Sequence, residues 1–196
     1  MLLLFIQLLA LWVFAYFNIF HLSSPFFWHP VCYLLSFSFQ NIAGQILASP
    51  NRPRLFYPHI IVAMGSTVCG LIGGAVIFTL KGGLASDNHF QSYHSWAGAA
   101  ASTTALIHGS VASGLLWPGF LSGVASRSTR LFLHRTVAKT LLVFYTVALV
   151  LGFAKIGLPV NSVQGALGAL IVTSLSLGTL LKMQQFGRTA PNKTKN

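Results

Sequence analysis

Residues 57–80 read YPHIIVAMGSTVCGLIGGAVIFTL, a run with no charged side chain and one histidine, His59, at its head. About 20 consecutive apolar residues suffice to cross the hydrocarbon of a bilayer, so this stretch reads as a transmembrane helix. The remainder of the chain resembles it. Hydrophobic residues make up 54% of the 196 positions and charged residues 7%, with a mean hydropathy of +0.71. A soluble domain carries roughly 25% charged residues, so water is not the solvent of this fold.

Six such runs lie at approximately 2–20, 25–48, 57–80, 90–116, 132–153 and 162–182. Between them stand Ser23-Ser24-Pro25, Asn51-Arg52-Pro53, Lys81-Gly82-Gly83, Pro118-Gly119, and Pro159 with Asn161, residues that stop or cap helices. Ser24 before Pro25 predicts an N-cap, which starts the second helix about one turn before His29. The first run lacks a positive n-region and a small-residue cleavage site, so it reads as a retained helix. The expected architecture is an all-α bundle of six transmembrane helices over residues 1–185, with a four-helix core of helices two to five and a polar tail at 186–196.

The net charge of +11 comes from 12 lysines and arginines against one acid, Asp87. These basic residues cluster in short connections instead of lining a helix face with interleaved aromatics, so nucleic-acid binding is not indicated. Arg52 and Arg54 follow helix two, Arg127 and Arg130 follow helix four, and Lys182, Arg188, Lys193 and Lys195 follow helix six. These alternate connections share one side. Lysine and arginine are retained in the cytoplasm, so both termini are expected there. The sequon Asn192-Lys193-Thr194 would then never meet the glycosylating lumen. Cys32 and Cys69 sit inside apolar runs and form neither a disulfide framework nor a CxxC site.

Seven histidines in so apolar a chain demand a role, because ionisable side chains inside spans are rare and functional by default. A single histidine near a helix end is usually a satisfied interfacial residue. Four of these are arranged. His29, His59, His94 and His134 fall one per helix on helices two to five, each within about two turns of the start. Successive helices run antiparallel, so His29 pairs with His94 on one side of the membrane and His59 with His134 on the other. One imidazole from each of two facing helices, at equal depth, makes an axial pair for haem iron. Zinc would want further ligands, and the single acid and the displaced cysteines do not supply them. The scarcity of acids also argues against a cation transporter. Two b-type haems are the expected cofactors; the alternative is a haem-free membrane transporter or assembly factor with interfacial histidines.

Helices three and four are rich in small residues, among them Gly65, Ser66, Gly70, Gly73 and Gly74, then Gly98, Gly109 and Gly114. These fit either close helix packing or accommodation of a flat cofactor, and the two are compatible. His108 lies 14 residues after His94, about 21 Å along the helix and on nearly the same face. No other span carries a matching histidine pair, so His108 is expected beside the His59/His134 site as a hydrogen-bonding neighbour. His21 and His89 fall in the non-cytoplasmic connecting loops, where they either assist acceptor binding or are simply exposed, exposure being the favoured reading.

Trp28-His29-Pro30 and Tyr93-His94-Ser95-Trp96 resemble the His-Pro and His-Ser-Trp motifs that head two helices of the cytochrome b561 family. Pro58-His59 and Leu133-His134 match by position, and the separations of 30, 35 and 40 residues between the four histidines are of family size. The similarity covers about residues 25–155 and is to the short, single-module members. It implies a transmembrane dihaem reductase. Electrons would pass from cytoplasmic ascorbate, by way of the His59/His134 site and then the His29/His94 site, to monodehydroascorbate or ferric iron on the far side. It further suggests a homodimer and a glutamine at the position of His108. Arg54, Arg127 and Arg130 occupy the neighbourhood where the family holds its anionic donor, although the same residues also serve as ordinary positive-inside charge. A lysine that family members often carry beside the helix-three histidine is replaced here by Tyr57 and Pro58.

Overall fold

The computed structural model describes residues 2–19, 25–47, 54–83, 89–116 and 123–189. Within them lie six α-helices and no strand: α1 (Leu2–Asn18), α2 (Trp28–Leu47), α3 (Phe56–Leu80), α4 (Tyr93–Leu116), α5 (Arg127–Lys155) and α6 (Val163–Thr189). A 3-10 turn at Pro25–Phe27 leads into α2. The turn before His29 is therefore tighter than the α-helical turn expected there, and Ser24 lies outside the described residues. The single acid Asp87, His21 and the 190–196 tail also lie outside them. α6 continues to Thr189, past the boundary at 185 expected from the sequence.

Serine hydroxyls set three of the helix starts. Ser126 Oγ accepts from the Thr129 amide at 3.2 Å, Ser92 Oγ from the Ser95 amide at 3.3 Å, and Ser162 Oγ from the Gly165 amide at 3.1 Å. Each satisfies an amide that the first turn leaves without an intrahelical partner. Gly82, Gly83 and Gly157, all with positive φ, turn the chain after α3 and α5 where a Cβ would be strained.

Among the described residues, α3, α5 and Val163–Gln185 of α6 are long and apolar enough to cross a membrane, and α1 is a shorter apolar helix. α2 and α4 carry more polar residues; those of α2 largely face inward, whereas on α4 Thr104 and His108 are buried and Thr103 and Ser110 exposed. Ser36, Ser38, Gln40, Asn41 and Gln45 of α2 are all buried, while Ile61, Met64, Val68 and Ile72 form an exposed apolar stripe on α3. Water would penalise that stripe, whereas lipid is its natural solvent. The chain is an integral membrane protein.

α2 packs most extensively on α3, and α4 on α5; α6 covers α5 and α2, with α1 outside it. Close approach of the core helices depends on glycine. A Cβ on Gly73 would lie 2.7 Å from the Tyr33 ring and 3.1 Å from Cys32 Cβ. One on Gly70 would collide with the Tyr145 hydroxyl. These two glycines serve packing, whereas Gly74, Gly98 and Gly109 line the cavities described below. The seam between α2 and α3 is closed by hydroxyls: Ser36 Oγ donates to the Ser66 carbonyl at 2.6 Å, and Ser66 Oγ returns a bond to the Ser36 carbonyl at 2.9 Å. Tyr145 of α5 joins them, its hydroxyl 2.7 Å from Ser36 Oγ.

Candidate functional site

The four core helices deliver their histidines as two pairs at opposite ends of the bundle. His29 and His94 are the second residues of α2 and α4, and their ring centres lie 6.0 Å apart with planes at 82°. His59, the fourth residue of α3, meets His134, two turns into α5, at 6.2 Å and 88°. The antiparallel course of the helices brings these residues together, and the two partnerships are those that depth predicts.

Metal–imidazole bonds are about 2 Å long and a ring centre lies roughly 1.1 Å behind its nitrogen, so two imidazoles on one metal have centres about 6 Å apart. Both pairs match that spacing. Three of the four rings are also oriented for it. His29 Nδ1 donates to the Gly73 carbonyl at 2.9 Å, His59 Nδ1 to the Ala43 carbonyl at 3.2 Å, and His94 Nδ1 to the Ala148 carbonyl at 2.9 Å. A carbonyl only accepts, so the proton sits on Nδ1 and Nε2 keeps a lone pair for a ligand. Each tether comes from a neighbouring helix. Gly152 of α5 completes the fit of His94, since a Cβ there would stand 3.1 Å from the ring.

His134 is different. Its Nδ1 is buried with no hydrogen-bond partner, as is Nε2 of His108. The two rings stack at 4.6 Å with planes 17° apart. His108 thus stands where its spacing from His94 puts it, at the second site. Among the described residues no three His, Cys, Asp or Glu side chains converge on one metal position.

Each pair opens on a cavity. The one beside His59, His108 and His134 is about 630 Å³, and the one beside His29 and His94 about 860 Å³. Both fall in the size range of cofactor and ligand sites. Of the three arginines singled out from the sequence, Arg127 lines the first cavity. Arg54 is exposed at the approach to α3. Arg130 turns inward, buried, and donates from Nη1 to the Gly114 carbonyl near the end of α4. Two cations overlooked in the sequence, Arg135 and Lys139, line the same cavity. Their place one and five residues beyond His134, inside a span, was the available signal.

The second cavity holds Lys81, Lys155 and His89. His89 is not simply exposed, as its loop position suggested. It stacks on Phe78 at 4.7 Å and donates from Nε2 to the Gly83 carbonyl at 2.7 Å.

A membrane-embedded helical bundle with two facing imidazole pairs is the class of protein that this fold and geometry define. The family profile for eukaryotic cytochrome b561 matches residues 28–158, which take in α2 to α5 and all four paired histidines. The chain belongs to that family. No curated protein matches it, and no solved structure does. Membership carries b-type haem and transmembrane electron transfer, so the protein is a membrane oxidoreductase and not a haem-free transporter.

Proposed function

We propose that the protein binds two b-type haems, one held by His29 and His94 and the other by His59 and His134, and moves electrons from cytoplasmic ascorbate to monodehydroascorbate or ferric iron across the membrane. The observation that carries this is the pair of ring-centre distances, 6.0 and 6.2 Å, at opposite ends of one bundle. Each haem, when bound, supplies a one-electron ferric/ferrous couple. Ascorbate releases one electron and one proton as it becomes monodehydroascorbate, and a ferric ion gains one electron on the other face.

The chain's own residues hold and orient. Gly73, Ala43 and Ala148 carbonyls fix three ring tautomers, and the apolar helix faces exclude water. Small residues on α3 and α4 leave room for flat rings between helices. The donor is an anion, and the cavity of the His59/His134 pair has Arg127, Arg135 and Lys139 in its wall. An arginine fork suits two adjacent enediolate oxygens. Arg54 and Arg130 complete the proposed basic neighbourhood, Arg54 at the entrance and Arg130 by fixing the end of α4. Both termini lie in the cytoplasm, because the connections after helices two and four and the tail carry the arginine and lysine excess.

Reconstituted vesicles test this. With ascorbate inside and a membrane-impermeant ferric chelate outside, wild-type protein should produce ferrous iron outside. His59→Ala and His29→Ala should each abolish that flux. Flux that persists in both variants would refute the proposed route.

A further inference from the structure

We infer that Lys81 and Lys155 are the carboxylate anchors of the His29/His94 site: they take the two propionate groups on the edge of its haem and so hold that edge toward the membrane surface. The inference rests on the two-haem reading above and extends it to two side chains that the reading leaves without a role.

The two lysines occupy matching places. α3 lends the Gly73 carbonyl to His29 Nδ1 and ends about two turns later at its C-cap, Lys81. α5 lends the Ala148 carbonyl to His94 Nδ1 and ends about two turns later at Lys155. Each of these helices secures a ring with its backbone and then sets a cation on the surface side of that ring. Helical spacing turns both lysines to the site. Ile77 and Lys81, four residues apart, share a face of α3, and both line the cavity. Gly152 and Lys155, three apart, share a face of α5; Gly152 lies against the His94 ring and Lys155 lines the cavity. Lys81 Nζ is steadied by Ser95 Oγ at 3.3 Å, and Ser95 directly follows His94. Lys81 acts electrostatically on both His29 and His94, and Lys155 on His94.

Cations at a cavity call for anions, and this chain has one to give: Asp87 is its single acid against 12 lysines and arginines. It can neutralise one of the two lysines at most. A haem is complementary to what remains, an apolar plate that carries two carboxylates on one edge. The cavity walls include Leu71, Gly74, Ala75, Gly98 and Ala99, which suit the plate. Ionised carboxylates held at such a slot without cations would carry a heavy desolvation cost, which an ammonium group with three donors offsets. A lysine at a helix C-terminus also complements the helix dipole, a role that would leave the haem untouched.

The test uses the purified, haem-loaded protein as wild type, Lys81→Gln, Lys155→Gln, the double variant, and Lys81→Arg with Lys155→Arg. Haem loss is followed with excess apomyoglobin as the trap, and the propionate bending band is read by resonance Raman as a variant-minus-wild-type difference. Each glutamine should speed loss of the haem that His29→Ala also removes by about three- to tenfold, and the double variant should be faster than either. The other haem should leave at its wild-type rate. The propionate band of one haem should shift in the glutamine variants and return in the arginine protein. Unchanged haem loss, faster loss with an unmoved propionate band, or equal effects on both haems would overturn the assignment. So would unchanged haem loss accompanied by a raised KM for ferricyanide, which would give the lysines to a free anion instead. Wild-type protein that binds no haem would overturn the two-haem reading itself, and the anchors with it.

Discussion

Gly70 and Tyr145 should be energetically coupled, and the structure states how. A Cβ at Gly70 would overlap the Tyr145 hydroxyl, stand 3.0 Å from Ser36 Oγ, and lie 3.3 Å from the carbon bearing the hydroxyl. Tyr145 cannot retreat, because it is fully buried and packs edge-on against Tyr33 at 5.9 Å. Gly70→Ala therefore overpacks the centre of the bundle, at a cost of about 1–3 kcal/mol. Tyr145→Phe alone removes one hydroxyl. Ser36 keeps its 2.6 Å bond to the Ser66 carbonyl, so this change costs only about 0.5–1.5 kcal/mol. In the double variant the collision is gone and the remaining contacts need shifts of a few tenths of an ångström. Its cost should fall below the sum of the single costs by about 1 kcal/mol or more. Thermal unfolding of detergent-solubilised protein reads this out, with roughly 2–4 °C expected per kcal/mol for a chain of this size. Simple additivity across the four proteins would refute the packing argument for Gly70.

Neutralising Arg127, Arg135 and Lys139 together should slow reduction by ascorbate while leaving both haem spectra intact. Stopped-flow rates should also lose salt dependence, since the screening length is about 8 Å at physiological ionic strength. Equal ascorbate rates in wild type and variant at low salt would reduce these cations to topology signals. A tag after Asn196 should be cleaved by protease only from the cytoplasmic face; protection there would reverse the assigned orientation. Gly152→Ala should disturb only the His29/His94 site, because the new Cβ would press on the His94 ring at 3.1 Å. Spectra in which the His59/His134 haem changes instead would contradict the assignment.

The six helices and the positions of the histidines on them were legible because each leaves a direct signal: a run of apolar residues measures its own length, and antiparallel helices convert start positions into depths. Helix rotation was not legible, and it decides the rest. Rotation of α2 against α3 puts the Gly73 carbonyl beside His29, and nothing in the local sequence names that carbonyl. Rotation of α5 turns Arg130 inward to Gly114 and presents Arg135 and Lys139 to the cavity. The start of α5 was also hidden. Hydropathy begins at about residue 132, but the helix begins at Arg127, capped by Ser126. Arg127 and Arg130 in its first turn oppose the helix dipole, so they give no propensity signal there. The missing tether of His134 is a fact about its neighbours and cannot be read from position 134.

The most direct test of the central claim is the haem content and reduced-minus-oxidised spectrum of four purified variants, His29→Ala, His94→Ala, His59→Ala and His134→Ala. Each should retain one haem. His29→Ala and His94→Ala should lack the same spectral component, and His59→Ala and His134→Ala should both lack the other. A spectrum in which His29→Ala and His59→Ala lose the same component, or a wild-type protein with a single haem, would contradict the account.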